Sequence, residues 1–194
     1  MINIEDCEKK EDKELVKLSL ENQEYFYCII SRYEKIILYY IQRISSLSKE
    51  DAEDILQEVF ISVYQNLNDF DDSLKFSSWI YRIAHNKTIS AWRKTKSRPK
   101  TIPTDSDENL FNFIASNEDI IGELERKHTA KELRLSLDKL DEKYKEVLIL
   151  KFLEDKDYKE ISDILKKPMG TVATLINRAK TKLREEINRQ KIIK

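Results

Sequence analysis

Thr171, Thr174, Arg178 and Lys182 recur three or four residues apart, and Val172, Ile176, Ala179 and Leu183 fill the alternate positions. On a helix, the hydroxyls and cations share one face and the apolar residues the other. Such a stripe suits recognition rather than bond making, because hydroxyls and cations can meet phosphates and base edges in a DNA groove. Residues 166 to 184 reinforce this with six bases and no acid. The segment just upstream reads as a short helix. Asp157 and Glu160 have the spacing of a capping box, in which each side chain satisfies an orphan amide of the first turn. Tyr158, Ile161, Ile164 and Leu165 follow at helical spacing, and Pro168 and Gly170 punctuate the chain before a second helix from about Met169 past Leu183. Short helix, tight turn and longer basic helix together make a helix-turn-helix.

A second constellation lies near residue 60. Ser48 and Asp51 mark a helix start, and the helix runs to about Leu67 with Ala52, Leu56, Val59, Phe60, Val63 and Leu67 on one face. Asp54, Gln57, Glu58, Ile61 and Gln65 gather on the other. An apolar anchor in an acidic and amide rim has the makeup of a protein-docking patch. The same residues also describe a solvated face with one stray isoleucine.

The third constellation pairs bases with aromatics. A helix starting close to Lys75 has Phe76, Ile80, Ile83 and Ala84 as its core face and Trp79 at the margin, and it fades at Ser97, Arg98 and Pro99. Lys87 falls on its apolar side, whereas Ile89 and Trp92 fall near the stripe of Arg82, Asn86 and Arg93. Cations beside exposed rings suit single-stranded DNA, whose phosphates need charge and whose unstacked bases need a π surface. Trp79 leans towards core; Trp92 fits either role.

The elements that must position these groups are almost all helical, since the 194 residues include only two glycines and three prolines. Helical periodicity runs from near Glu14 through Tyr25, Phe26, Ile29, Ile30, Tyr33, Ile36, Ile37 and Tyr40. The net charge of −1 conceals segregation: residues 73 to 104 carry eight bases and no acid, and residues 105 to 125 seven acids and no base. Pro99, Pro103 and the Thr, Ser, Asp and Asn between them and Glu118 read as a flexible acidic linker. The fold class is therefore all-α, with two small helical domains on that tether and the helix-turn-helix in the C-terminal one. The boundaries are 1–100, 101–127 and 128–194.

Cys7 and Cys28 form no C-x-x-C, and His85 and His128 are too scattered to complete a zinc site, so reduced, structurally incidental thiols and no metal or cofactor are expected. There is no membrane-length apolar run and no signal peptide, which points to the cytoplasm. No glycine-rich phosphate loop, metal cluster or activated nucleophile argues for an enzyme.

Three stretches resemble the extracytoplasmic-function type of bacterial sigma factor. Asp51 to Phe60, D-A-E-D-I-L-Q-E-V-F, is similar to the family's D-A-E-D-L-V-Q-E-x-F. Phe76 to Asn86, F-S-S-W-I-Y-R-I-A-H-N, resembles F-x-x-W-L-Y-R-I-A-x-N. Tyr158 to Leu165 with Gly170 to Val172 resembles Y-x-E-I-A-x-I-L and G-T-V. The resemblance implies that Asp54, Gln57, Glu58 and Ile61 grip the clamp of the largest subunit of core RNA polymerase. It implies that the loop from Phe70 to Lys75, with Lys75, Arg82, Asn86, Trp92 and Arg93, captures and melts the minus-ten element. Thr171, Thr174, Arg178 and Lys182 would read the minus-thirty-five element while their domain sits on the polymerase flap, and an anti-sigma protein is a further partner. The family's usual turn glycine is here Lys166, which would cost roughly 1 kcal/mol in a left-handed conformation. Ala173 and Leu175 replace bases common on the reading helix. The alternative is a stand-alone helix-turn-helix regulator, which needs only the last third of the chain.

Overall fold

A computed structural model describes residues 7–45, 47–95 and 130–192. The expected linker, 101–127, lies outside them. Among the described residues the fold is organised by helices α1 (Asp12–Glu21), α2 (Phe26–Ile44), α3 (Lys49–Gln65), α4 (Phe76–Thr95), α5 (Ala130–Asp138), α6 (Glu142–Phe152), α7 (Tyr158–Leu165) and α8 (Met169–Ile192). No strand occurs among the described residues. The chain divides into two compact units, α1 to α4 building the first and α5, α6 and α8 the core of the second.

In the first unit, α3 packs against both α2 and α4, and α1 lies on α2. Ile29, Ile37, Tyr40 and Ile41 of α2 meet Val59 and Val63 of α3 and Ile80, Tyr81 and Ala84 of α4 in a core where all are buried. Each large aliphatic contributes about 1.5–3 kcal/mol by leaving water. The Tyr40 and Tyr81 rings lie 4.8 Å apart, and the Tyr40 hydroxyl bonds His85 Nδ1 at 3.1 Å. The long periodicity expected from Glu14 to Tyr40 is broken at Asn22. That residue is extended (φ −142°), and its side chain accepts from the Glu24 amide, so a local cap outcompetes helix continuation. A 3-10 turn, Gln23–Tyr25, then leads into α2, and Ile36 of the expected stripe is exposed.

Cys7 and Cys28 form a disulfide, with Cα atoms 5.2 Å apart. This overturns the expectation of reduced, incidental thiols: α1 doubles back along α2 and returns the N-terminal residues to the start of α2, a proximity that no spacing motif announces. Closing a loop across a separation of 21 residues stabilises the fold by about 3 kcal/mol in the chain-entropy account.

In the second unit, α6 and α5 pack against α8. Val147 and Leu150 of α6 and Val172, Ile176, Ala179 and Leu183 of α8 are buried, as the periodicity of α8 predicts. The α7 capping box forms as expected: Asp157 accepts from the Glu160 amide at 2.8 Å, and Glu160 accepts from the Asp157 amide at 3.0 Å. Helix α7 ends at Lys166 in the left-handed region (φ 53°, ψ 44°). Ser162 fixes the turn, its carbonyl accepting from the Lys166 and Lys167 amides and its hydroxyl donating to the Lys167 carbonyl at 2.6 Å. The Pro168 carbonyl then opens α8 by accepting from the Thr171 and Val172 amides. Because a side chain is disfavoured at positive φ, Lys166→Gly is expected to stabilise the C-terminal unit by about 1 kcal/mol. Chemical denaturation followed by far-UV circular dichroism measures it, and a destabilised variant would contradict the strain.

Candidate nucleic-acid interface and protein-docking face

Helix α3 separates its two faces cleanly. Ala52, Ile55, Leu56, Val59, Phe60 and Val63 are buried, whereas Asp54, Gln57, Glu58 and Ile61 are all exposed, Ile61 to 57%. Ile55 joins the core although the face reading omitted it, because neighbours on two sides widen the buried sector. The helix start differs slightly from a reciprocal capping box. The Ser48 hydroxyl accepts from the Asp51 amide at 3.1 Å and donates to Asp51 Oδ2, so Asp51 reinforces the cap rather than bonding the Ser48 amide. Glu58 receives Lys87 of α4 at 3.3 Å, yet its side chain stays 66% exposed. Surface pairs of this kind contribute at most about 1 kcal/mol and leave the carboxylate available.

The loop before α4 is ordered by its own side chains. Asp71 Oδ1 accepts from the Ser73 amide at 2.9 Å, and the Leu74 amide donates to the Asp71 carbonyl. Hydrogen bonds from the Ser73 hydroxyl, then from its amide, hold the Asp71 carboxyl below the usual carboxylate range. Behind the loop, Phe70 lies 5.3 Å from Phe76 and 5.5 Å from Trp79, and Phe76 also meets Tyr33 at 5.6 Å. This aromatic cluster seats the loop on α4. Sequence reading flagged Trp79 but missed Phe70 as its partner; a phenylalanine between turn aspartates, six residues before Phe76, was the available signal.

Along α4, Lys75, Asn86 and Arg93 are exposed and Arg82 and Trp92 are half-buried. Arg82, Asn86 and Arg93 fall four and seven residues apart on one side, which the helix brings together as expected. Two placements are corrected. Ile89, expected near the basic stripe, is buried, and Lys87, expected on the apolar side, reaches Glu58. Packing against α3 rotates the boundary between the faces, so Ile89 faces the core and Lys87 skirts it.

On α8, Thr171, Thr174, Arg178 and Lys182 are all exposed, the first two in the first turns after the helix-turn-helix corner. Among the described residues no carboxylate pairs with Arg178 or Lys182. Thr174 donates its hydroxyl hydrogen to the Gly170 carbonyl at 2.8 Å. What it offers outward is acceptor lone pairs and a methyl, fit for a base amino group or a thymine methyl instead of a phosphate. A shallow groove beside the stripe is lined by Tyr144, Asn177, Arg178, Thr181, Lys182 and Glu185. Lys182 Nζ stands 5.9 Å from the centroid of the Tyr144 ring. Tyr144 and Thr181 escaped the sequence reading, although Thr181 is one helical turn from Asn177 and next to Lys182.

Two family models match the chain. Sigma-70 region 2 matches residues 29–98 and Sigma-70, region 4, residues 130–183. The ECF RNA polymerase sigma factor SigW of Bacillus subtilis is 34% identical over 182 residues, covering 90% of this chain and 95% of that protein. This chain belongs to the ECF sigma factors. The ECF RNA polymerase sigma-E factor of Haemophilus influenzae is 27% identical, covering 93% of this chain and 97% of that protein. Among solved structures, CnrH in complex with the cytosolic domain of CnrY superposes with a TM-score of 0.67 at 22% identity, covering 92% of this chain and 97% of that one. The sigma factor RpoE with the anti-sigma factor NepR from Bartonella quintana gives 0.64 at 18%, covering 84% and 96%. These likenesses support the all-α fold. The chain is thus a sigma factor that binds core RNA polymerase and directs promoter-specific transcription initiation, and the reading as a stand-alone regulator is set aside by matches to both region 2 and region 4. Sigma factors are not enzymes. No helix among the described residues is long and apolar enough to cross a membrane.

Proposed function

We propose a division of labour between the two units of this sigma factor. Residues 1–100 bind the polymerase clamp through Asp54, Gln57, Glu58 and Ile61 and engage the minus-ten element through the loop from Phe70 to Lys75 and through Lys75, Arg82, Asn86, Trp92 and Arg93. Residues 101–127 link the units, and residues 128–194 read the minus-thirty-five element through Thr171, Thr174, Arg178 and Lys182 on the polymerase flap. The observation that carries this reading is that the acid-and-amide face of α3 and the cationic stripe of α8 are each exposed, on separate elements, with opposite charge. The protein acts in the cytoplasm, has no catalytic activity of its own, and is held in check by an anti-sigma protein. CnrH and RpoE, whose folds it shares, were solved with CnrY and with the anti-sigma factor NepR.

Two modest DNA contacts joined by a tether gain from effective concentration once both are seated on polymerase, so neither needs to bind tightly alone. The free protein is therefore expected to bind promoter duplexes poorly and the holoenzyme to bind them well. Electrophoretic mobility shifts on a promoter mapped from transcript starts, with and without core polymerase, measure the difference. Equal affinity in both would contradict the division.

A further inference from the structure

Helix α1 is held by more than packing. Arg32 of α2 donates to Asp12 Oδ1 at 2.6 Å and to the Cys7 and Lys10 carbonyls at 2.6 and 2.8 Å, and the Tyr33 hydroxyl donates to Asp12 Oδ2. The disulfide fastens the same segment to α2, with Cys7 and Cys28 both buried. Tethered in this way, α1 rests against the 3-10 turn Leu67–Asp69 and against α4, and the charge of Lys13 acts on Asp71. What the two cysteines fasten is thus a brace behind the loop and helix assigned to strand opening. A polymerase subunit works in a reducing compartment, where structural disulfides are rare and those that form are usually transient and redox-sensing.

We propose that Cys7 and Cys28 are a reversible thiol–disulfide site served by low-molecular-weight thiols and their disulfides, and that the oxidised form braces the promoter-opening surface. The functional half of this proposal rests on the assignment of the loop and α4 to the minus-ten element. Oxidation proceeds by two exchanges. The Cys7 thiolate attacks one sulfur of a small disulfide R–S–S–R, forming a mixed disulfide and releasing one R–S⁻. The Cys28 thiolate then attacks the Cys7 sulfur, closing the crosslink and releasing the second R–S⁻. The protein gives up two electrons and two protons, which leave as two R–SH; reduction is the reverse. Because both sulfurs are buried, either direction waits for residues 7 to 11 to lift from Arg32, which therefore governs the rate.

The test equilibrates the full chain in buffers of stepped reduced-to-oxidised glutathione ratio. It reads the crosslinked fraction by gel shift after maleimide–polyethylene glycol trapping and counts open complexes formed with core polymerase on a mapped promoter. Open complexes are expected to rise at least about threefold from reduced to oxidised protein, and the melting temperature of the N-terminal unit by about 10 °C or more. Cys7→Ala, a change that precedes α1 in the chain and alters none of α1 to α4, is expected to keep its helicity and remain at the reduced level in every buffer. Arg32→Ala is expected to shorten the half-time of reduction about tenfold. A crosslink that forms and breaks while open complexes stay level overturns the proposal, as do thiols that stay unpaired at every ratio. Failure of the site assignment shows separately, as an Arg82→Ala variant that opens the promoter like wild type while its melting temperature still follows the glutathione ratio.

Discussion

Core RNA polymerase is expected to bind the triple variant Gln57→Ala/Glu58→Ala/Ile61→Arg at least about thirtyfold more weakly than wild type. The residues lie on one exposed side of α3, and Ile61 is the most exposed apolar side chain of that helix, at 57% against 46% for Tyr64. Apolar anchors at the centre of an interface commonly cost about 2 kcal/mol or more when removed, and each 1.4 kcal/mol is roughly a factor of ten. An arginine there also sets a cation where the anchor must be desolvated. None of the three side chains is in the core, and the Lys87 to Glu58 pair is a surface contact, so helical content and melting are expected to change little. Titration of labelled sigma factor with core enzyme, read by fluorescence anisotropy, measures the loss. Binding equal to wild type would remove this face from the polymerase interface.

The second large effect is on promoter affinity. Arg178→Ala/Lys182→Ala removes two exposed cations from α8, and neither has an internal carboxylate partner among the described residues. If each neutralises one phosphate, the slope of log affinity against log salt flattens by about 1.8, taking roughly 0.9 per contact on duplex DNA. The loss should be similar across promoters that differ in minus-thirty-five sequence, because phosphates carry no sequence information. Thr174→Ala is expected to behave differently. Its hydrogen is committed to the Gly170 carbonyl, so losing its lone pairs and methyl should alter the ranking of promoters while leaving the salt slope in place. Holoenzyme binding measured across a salt series checks both, and an unchanged slope in the double variant would remove these cations from the phosphate contacts.

The parts of this fold that could be read from the chain are those set within one or two helical turns. The Asp157 and Glu160 cap, the buried set Val172, Ile176, Ala179 and Leu183, and the exposed set Asp54, Gln57, Glu58 and Ile61 follow from spacing and side-chain chemistry alone, and the structure places them accordingly. The left-handed Lys166 was legible only through the family resemblance, whose usual turn glycine falls at that position. What escaped depends on neighbours far away in sequence. The helix break at Asn22 arises because one amide side chain competes with the backbone at a position where periodicity alone runs on. Ile89 is buried, and Lys87 stays half-buried beside Glu58 of α3, because neighbouring helices cover more of α4 than a wheel of α4 can reveal. Cys7 and Cys28 meet only because α1 reverses onto α2. The seating of the loop by Phe70, Phe76 and Trp79 is likewise a tertiary event, although each ring sits in a segment already marked as functional.

The assignment of opposite charges to different partners is tested most directly by site-specific photocrosslinking. A photoreactive amino acid is placed at Gln57 or at Thr174 of the full chain, and the protein is assembled with core polymerase and a radiolabelled promoter fragment. The account predicts that Gln57 crosslinks to the largest polymerase subunit and not to DNA, and that Thr174 crosslinks to DNA near the minus-thirty-five element. Crosslinks from Gln57 to DNA, or from Thr174 to polymerase alone, would contradict it.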